Sequence, residues 1–201
     1  MNPVDYATLC SEIYQSSDGF DIYNKNGVYA GYVAIGDIDL FVFRGSYTFE
    51  DWEDDFYLFP LKHPKLGDVH GGFVRGIDLC YKWCLTKIRE GCKASFIGHS
   101  LGGAHARYIA GLCAYDKSHT ELLMTFGSPK CGKETLIKLI ESSGITHTSY
   151  RHCDVIVPSL PPDKFGYEHT EQYIELKSND SSGLLGDIKD HSISLYLRSL
   201  A

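Results

Sequence analysis

The sequence of this 201-residue chain lacks the features that mark membrane-bound and exported proteins. No apolar run approaches the roughly 18 residues that a membrane-spanning helix needs, so no stable membrane anchor is predicted. The opening stretch, MNPVDYATLCSEIYQSS, has neither a basic start nor an apolar core of about seven residues, and no secretory signal peptide is predicted. We therefore expect a cytoplasmic protein, with a secreted form that has lost its leader as the open alternative.

Positive charge is also scarce in this sequence. The chain has 19 Lys and Arg residues against 26 Asp and Glu residues, which gives a formal net charge of −7. Nucleic-acid binding requires clustered Lys and Arg against the phosphates, so no nucleic-acid partner is expected. The same negative charge gives no help in docking to anionic membrane surfaces.

Metal-binding patterns are missing as well. The sequence contains no CxxC, HExxH or HxH motif, so neither a metal site nor a cofactor is predicted. Its seven cysteines are odd in number and scattered along the chain. Without an export signal, this pattern is typical of reduced thiols rather than of a disulfide framework.

The chain does have the composition of one globular domain over residues 1–201, since 43% of its residues are hydrophobic and 22% are charged. Strands alternate with helices, which predicts an α/β fold with a mostly parallel sheet, an antiparallel N-terminal edge and helices on both faces. The predicted elements are a helix over 4–15, a hairpin over 27–45, a helix over 73–88, a strand over 94–97, a helix over 101–114, a strand over 122–126, a helix over 133–142, strands over 149–152 and 172–176, and a helix over 188–200.

The stretch GHSLG, residues 98–102, places a serine between two glycines at the sharpest predicted turn. It follows a buried strand and precedes a helix, which is the context that a nucleophile elbow requires. Such a turn forces Ser100 into a strained backbone conformation, while Gly98 and Gly102 remove the side chains that would collide there. Its hydroxyl then lies at the carboxyl end of the strands, beside the positive end of the helix dipole. An ordinary glycine-rich turn is the alternative.

A serine hydroxyl needs a base to remove its proton, and His191 is the leading candidate. In chains with this elbow the order is serine, then an acid after a later strand, then a histidine near the end. His191 is the only histidine in the last thirty residues. His169 is the rival, an exposed or helix-capping histidine is the structural alternative, and His152 is expected to pack on the sheet.

The acid that would orient this histidine is Asp154, just past a predicted strand in YRHCDVIVPSLPP. The prolines at 158, 161 and 162 make the following segment rigid. A carboxylate there can accept a hydrogen bond from the imidazole and stabilise its cation. A turn-stabilising role for Asp154 is the alternative, and Asp163 and Asp187 are weaker rivals.

Acyl transfer also needs hydrogen-bond donors where the oxyanion of the tetrahedral intermediate develops. One donor should be the backbone N–H of Leu101, directly after the nucleophile. The second must come from the loop after an earlier strand, and Ser46 in LFVFRGSYTFEDW offers both an N–H and a hydroxyl.

Taken together, the motifs of the chain resemble those of the class 3 lipases, an α/β-hydrolase family that includes secreted fungal triacylglycerol lipases. The resemblance implies that Ser100, Asp154 and His191 form a catalytic triad, that Ser46 and Leu101 form the oxyanion hole, and that Arg44 is structural. The matching segments are FVFRGS (41–46), DWEDDF (51–56), VHGGF (69–73), FIGHSLGGAHA (96–106), TFGSPKCG (125–132), CDVIVPSLPP (153–162) and DHSISLYL (190–197).

The resemblance also implies a helical lid over the acyl groove, formed by the segment after the oxyanion residue. The candidate lid and groove residues are Tyr47, Phe49, Trp52 and Phe56, of which the last three share one face of a helix. That face can make transient contact with a lipid interface when the lid opens. A surface helix with ordinary core aromatics is the alternative, and a calcium site in EDWEDD is conceivable.

These features favour a serine hydrolase that cleaves carboxylic esters of acyl lipids, as a triacylglycerol lipase or esterase. An intracellular phospholipase or lysophospholipase with the same triad is the second hypothesis. The third is a catalytically silent hydrolase fold that serves as a binding protein. A histidine base of ordinary pKa predicts that activity rises with pH between about 6 and 7.

Overall fold

A computed structural model of the chain describes residues 1–46, 60–153, 155–170, 173–177 and 191–201. Its strands are β1 (Asp21–Lys25), β2 (Val28–Ile35), β3 (Ile38–Arg44), β4 (Pro60–His63), β5 (Gly67–His70), β6 (Lys93–His99), β7 (Thr120–Phe126), β8 (Thr146–His152) and β9 (Tyr173–Leu176). Seven of them form one sheet in the order β1-β2-β3-β6-β7-β8-β9, and β4 pairs with β5 in a separate hairpin.

The large sheet changes from antiparallel to parallel at β3. Strands β1, β2 and β3 pair as an antiparallel meander, whereas β3, β6, β7, β8 and β9 pair in parallel. Phe43 in β3 lies opposite Gly98 in β6, so the loop after β3 begins beside the GHSLG turn. The predicted sheet, mostly parallel with an antiparallel N-terminal edge, is confirmed. Its parallel strands bring their carboxyl ends to one edge, where sites in open α/β sheets form.

Helices cover both faces of this sheet, as predicted. The helices among the described residues are α1 (Pro3–Gln15), α2 (Ile77–Lys87), α3 (Leu101–Tyr115), α4 (Glu134–Ser142) and α5 (Ile193–Leu200). Helices α1 and α5 share a core with Ile13 and Phe126 on one face. Helices α2, α3 and α4 share the other core, which includes Phe96, Ile109 and Leu136.

Strand β3 shows why the sequence gives two cores. Successive side chains of a strand point to opposite faces. Leu40 and Val42 therefore enter the core beneath α1 and α5, whereas Phe41 and Phe43 enter the core beneath α3. All four side chains are fully buried, so this strand is apolar on both faces rather than alternating.

Two short pieces of β structure were not predicted from the sequence. Strand β1 has the sequence DIYNK, in which only Tyr23 is buried, so it has no apolar period to detect. The hairpin of β4 and β5 has four residues in each strand, and three of the four residues of β4 are exposed. Both are stabilised by pairing with a neighbouring strand rather than by a pattern of their own.

The predicted helix over 73–88 begins later than expected, at Ile77. Gly76 precedes it with φ of 76°, in the left-handed region. A Cβ at this position would lie 2.6 Å from the carbonyl oxygen of Asn26. The close approach of the loop between β1 and β2 therefore fixes the start of α2.

The final helix also begins later than predicted, at Ile193, where the Ser192 side chain accepts a hydrogen bond from the N–H of Ser194. None of the helices in the described part of the chain has the length and hydropathy required to cross a bilayer. All seven cysteines fall within the described ranges, and none of them forms a disulfide.

Candidate active site

Ser100 occupies the turn between β6, which ends at His99, and α3, which begins at Leu101. Its backbone has φ of 57° and ψ of −130°, a conformation that a residue with a side chain rarely adopts. The Ser100 N–H donates to the carbonyl oxygen of Phe126 at 2.9 Å, and its own carbonyl accepts from the Gly103 N–H at 2.8 Å. The strained turn predicted from GHSLG is therefore present, and these backbone bonds hold it in place.

The two glycines that flank Ser100 are required because backbone passes close to each of them. A Cβ at Gly98 would lie 2.3 Å from the carbonyl oxygen of Gly102. A Cβ at Gly102 would lie 2.1 Å from the carbonyl oxygen of Phe43, at the end of β3. Main-chain atoms cannot move aside as a flexible side chain can, so neither position accepts a larger residue.

The loop after β3 lies against the serine, as the oxyanion prediction requires. A Cβ at Gly45 would come within 2.9 Å of both the Ser100 Cβ and the His99 carbonyl oxygen. Ser46 follows directly and is partly exposed. Leu101 is the first residue of α3, and the N–H groups of a first turn have no acceptor within the helix. The structure thus brings the Ser46 loop and the Leu101 N–H to the same edge as Ser100.

Tyr14, near the end of α1, joins this loop to the strand that carries the serine. Its hydroxyl accepts the Gly45 N–H at 2.9 Å and is hydrogen-bonded to Nδ1 of His99 at 3.0 Å. His99 is buried, and burial followed by the nearby His191 lowers the pKa of its imidazole well below the ordinary value. One side chain of α1 therefore contacts both the loop before Ser46 and the residue before Ser100.

His191 lies beside the serine turn, although it is 91 positions further along the chain. Its ring stacks on that of His99, with centroids 4.8 Å apart and an angle of 28° between the planes. A Cβ at Gly127 would lie 2.4 Å from Cε1 of His191 and 2.5 Å from Oη of Tyr196. Gly127 directly follows Phe126, the residue that accepts the Ser100 N–H. His191 and Ser100 therefore both lie against the backbone of Phe126 and Gly127.

The His191 ring forms no hydrogen bond with any residue that the structure describes. Both of its nitrogens are shielded from solvent, and neither has a partner among the described residues. No hydrogen bond joins it to Ser100 in this structure. Burial lowers the pKa of His191 to about 4, so the ring is neutral at pH 7 and has a free lone pair. Buried polar atoms without partners are costly and are common where a group is reserved for catalysis.

The rival residues lie elsewhere or are already occupied. Both ring nitrogens of His169 are engaged, by Arg107 and by the Pro158 carbonyl. Asp163 is exposed and forms an ion pair with Lys130, which lowers the pKa of its carboxyl group. His152 is buried at the end of β8, as expected for a residue that packs on the sheet.

Several predicted residues lie outside the described ranges. The acid candidate Asp154 is one, and its rival Asp187 is another. The lid and groove candidates, and the EDWEDD stretch, also lie outside them: these are Tyr47, Phe49, Trp52, Phe56 and residues 50–55.

The structure adds three residues that sequence reasoning did not select: Tyr14, His99 and Tyr196. The two tyrosines belong to apolar stripes of α1 and α5, where a tyrosine is ordinarily read as core. His99 stands inside the GHSLG motif, at a position that the elbow leaves variable. The only signal in the sequence was a histidine directly before the nucleophile. Its role depends on contacts with residues distant in sequence.

Comparison with known proteins gives the same family as the motifs. The sequence model of the family "Lipase (class 3)" matches residues 40–165. The chain is 31% identical over 172 residues to a lipase of Rhizomucor miehei, which covers 76% of this chain and 45% of that protein. It is 28% identical over 173 residues to the secreted mono- and diacylglycerol lipase A of Penicillium cyclopium, covering 80% of this chain and 56% of that protein. The chain thus spans about half the length of these relatives.

The fold is also shared with a solved lipase. The structure of the Rhizomucor miehei triacylglyceride lipase aligns with a TM-score of 0.70 at 24% identity, over 88% of this chain and 79% of that one. This likeness confirms the predicted α/β-hydrolase fold. Because the family model covers more than half of the 201 residues, the resemblance seen in the motifs is confirmed, and the chain belongs to the class 3 lipase family.

Proposed function

We propose that this protein is a serine hydrolase that cleaves carboxylic ester bonds of acyl lipids, as a lipase or esterase. The observation that carries the proposal is the strained Ser100 turn, with the Ser46 loop on one side and, on the other, a neutral imidazole that has no hydrogen-bond partner among the described residues. The names of the relatives support it, since both are lipases.

In the first half of the reaction, Oγ of Ser100 attacks the carbonyl carbon of the ester while His191 removes its proton. The oxyanion of the tetrahedral intermediate accepts hydrogen bonds from the Leu101 N–H and from Ser46. The C–O bond to the alcohol then breaks, and the imidazolium of His191 donates its proton to the leaving oxygen. An acyl group remains on Ser100.

Water completes the cycle. It attacks the acyl carbon and gives a proton to His191, and the second tetrahedral intermediate uses the same donors. When the bond to Ser100 breaks, the proton passes from His191 to the serine oxygen and the fatty acid leaves. Because no hydrogen bond joins His191 to Ser100 in this structure, the ring must turn toward the serine as substrate binds, as catalytic contacts commonly do.

Asp154 is the proposed acid. Its support is its place in the chain: β8 ends two residues before it at His152, and the short 3-10 helix Val157–Ser159 follows. A carboxylate at that point can accept the second N–H of His191 and stabilise the imidazolium.

The decisive experiment replaces the nucleophile. Ser100→Ala should abolish hydrolysis of a short p-nitrophenyl ester and labelling by a fluorophosphonate probe, with an unchanged circular dichroism spectrum. Ser142→Ala, an exposed serine at the end of α4, is the matched control and should keep full activity. Turnover retained by folded Ser100→Ala would exclude the mechanism.

Neutral acylglycerols are the proposed substrates, because the Penicillium relative is named as a mono- and diacylglycerol lipase. That name disfavours the phospholipase hypothesis, and the intact elbow disfavours a silent binding protein. Comparing hydrolysis of tributyrin with that of phosphatidylcholine tests the choice: faster release from phosphatidylcholine would reverse it.

A lipid-facing lid formed by Tyr47, Phe49, Trp52 and Phe56 remains part of the proposal. Its support is the spacing of these aromatics after the oxyanion residue. Measuring the rate below and above the solubility limit of a triglyceride is the test, since a working lid predicts a jump at the limit.

The cytoplasmic location expected from the sequence finds no support in the relatives, of which the Penicillium enzyme is named as secreted. A secreted form is therefore the stronger proposal. Immunoblots of medium and cell lysate from the source organism separate the two.

A further inference from the structure

The nucleophile helix α3 carries a buried cation, Arg107, which is only 1% exposed. A buried guanidinium is costly unless acceptors surround it. In the described part of the chain no carboxylate pairs with it, and its acceptors are neutral. One terminal nitrogen donates to Oγ of Ser149 at 2.8 Å, and the other contacts Nδ1 of His169 at 3.0 Å.

The contact with Arg107 fixes the tautomer of His169. A guanidinium has only donors, so Nδ1 of the imidazole must be the acceptor. The ring proton is therefore on Nε2, which donates to the carbonyl oxygen of Pro158 at 2.5 Å. Two hydrogen bonds in series thus join α3 to Pro158.

Pro158 belongs to the acid loop, which we define as residues 155–170. This loop begins next to Asp154. Two backbone hydrogen bonds also tie it to the segment after β7: the Lys130 N–H donates to the Leu160 carbonyl at 2.7 Å, and the Glu168 N–H donates to the Gly132 carbonyl at 3.1 Å. The path through His169 differs from these because it reaches the helix that begins at the nucleophile.

The second contact of Arg107 holds the strand on the other side of Asp154. Oγ of Ser149 in β8 accepts from Arg107 and also from Oγ1 of Thr125, at 2.9 Å. With both lone pairs used, its proton points to Nε2 of His147, 3.0 Å away. Arg107 therefore contacts β8, which precedes Asp154, and reaches the acid loop, which follows it.

We propose that Arg107 and His169 are positioning residues for the catalytic acid. They fix the chain before and after Asp154 relative to the helix that carries Ser100. The inference rests on the proposed function, because it assigns a purpose to the acid of that site. Misplacement of a catalytic group by about 1 Å can lower a rate by about a hundredfold, so a rigid path of this kind matters for turnover.

Two substitutions of His169 test the proposal. His169→Leu removes both hydrogen bonds, and kcat for a short p-nitrophenyl ester should fall by about tenfold or more while KM changes by less than about twofold. His169→Gln can accept from Arg107 through Oε1 and donate to Pro158 through Nε2. It should recover kcat to within about threefold of wild type.

The matched control is Asp163→Asn, which removes the exposed ion pair of the same loop with Lys130 and should leave kcat unchanged. If His169→Leu does not fold, the double variant Arg107→Met/His169→Leu, which leaves no unpaired buried donor, takes its place. Nitrogen-15 NMR of the wild-type imidazole supplies a readout without activity, and it should show the proton of His169 on Nε2.

The outcomes separate the two proposals. A folded wild-type chain without esterase activity would overturn the proposed function. An active wild type together with a folded His169→Leu variant of unchanged kcat would overturn the positioning role alone. An NMR signal from a proton on Nδ1 of His169 would also overturn the positioning role.

Discussion

The serine side and the histidine side of the candidate site are held by different forces. Ser100 is fixed by two backbone hydrogen bonds and by glycines that leave no room for movement. None of the described residues forms a hydrogen bond with a ring nitrogen of His191, which stacks on His99 and meets the edge of Tyr196, 6.5 Å between centroids. Within the described part of the chain, backbone hydrogen bonds thus hold the nucleophile, whereas ring contacts hold the base.

This difference suits the chemistry. The attacking oxygen and the oxyanion donors must keep their geometry through both halves of the reaction, and preorganisation of such groups supplies much of the rate. The imidazole must instead exchange protons with the serine, the alcohol and the water in turn.

The sharpest way to break the serine side is Gly102→Ala. The new Cβ would meet the Phe43 carbonyl at 2.1 Å, and β3 must separate from α3 to admit it. We expect a loss of about 3 kcal/mol or more in the free energy of unfolding, the upper end of the cost of overpacking, with complete loss of activity. Urea denaturation measures it.

The control for this change is Gly111→Ala in the same helix, where the new Cβ would meet only side-chain ends, Cδ1 of Leu136 at 2.5 Å and Cδ2 of Leu66 at 3.0 Å. These side chains can shift, so the loss of stability should be clearly smaller. Equal losses in the two variants would mean that the close backbone approach at Gly102 is unimportant.

Gly127→Ala breaks the histidine side instead. Its Cβ would collide with Cε1 of His191 at 2.4 Å, so the ring must leave its place against His99. We expect activity to fall by about a hundredfold or more while the chain stays folded. Gly144→Ala is the matched control. Its φ of 77° is positive like the 60° of Gly127, but nothing lies within 4 Å of the new Cβ. Loss of activity in both variants would point to backbone strain alone.

Tyr14→Phe is a milder test, because it removes the link between the loop before Ser46 and His99, the last residue of the strand that precedes Ser100. The Gly45 N–H loses its acceptor, which costs about 1–3 kcal/mol when the group is buried, and the Ser46 loop can drift. We expect kcat to fall by about tenfold with little change in KM. Tyr115→Phe, an exposed tyrosine at the end of α3, is the control. An unchanged kcat in Tyr14→Phe would contradict the assigned role.

The same contrast explains what could be predicted from the sequence. The Ser100 turn is a local feature, since the apolar strand, the two glycines and the following helix stand within about twenty residues. The parallel sheet followed from the alternation of strands and helices. These parts were predicted correctly because each depends on neighbouring residues.

The environment of His191 was not predictable, because it depends on residues far apart in sequence. Its ring contacts His99 and Gly127, and the Tyr14 link joins α1 to two strands. No pattern along the chain records these contacts. Likewise β1 was missed because pairing with β2, rather than an apolar period, makes it a strand.

As the pH is lowered, the free energy of unfolding should fall before His191 becomes protonated. Burial lowers the pKa of His105 to about 4 and that of His147 and His169 to about 3. The unfolded chain takes up these protons near pH 6.5, but the folded chain does not. The free energy of unfolding should therefore fall as pH drops below about 6.5, by about 1.4 kcal/mol per pH unit for each such histidine. Urea melts from pH 7 to 4 measure the slope, and a flat profile would contradict the burial of these rings.

The smallest expected effect is on the rate between pH 7 and 5. With the pKa of His191 lowered to about 4, the ring is about nine-tenths neutral at pH 5, whereas an ordinary histidine would be about 3% neutral. The rise in activity is therefore expected near pH 4 rather than between 6 and 7. Initial values of kcat/KM for a soluble ester, with recovery checked at pH 7, give the profile. A midpoint between 6 and 7 would contradict the effect of burial on the His191 pKa and would mean that the proposed Asp154 carboxylate already pairs with the ring in the free enzyme, so that hydrogen bonds hold both sides of the site.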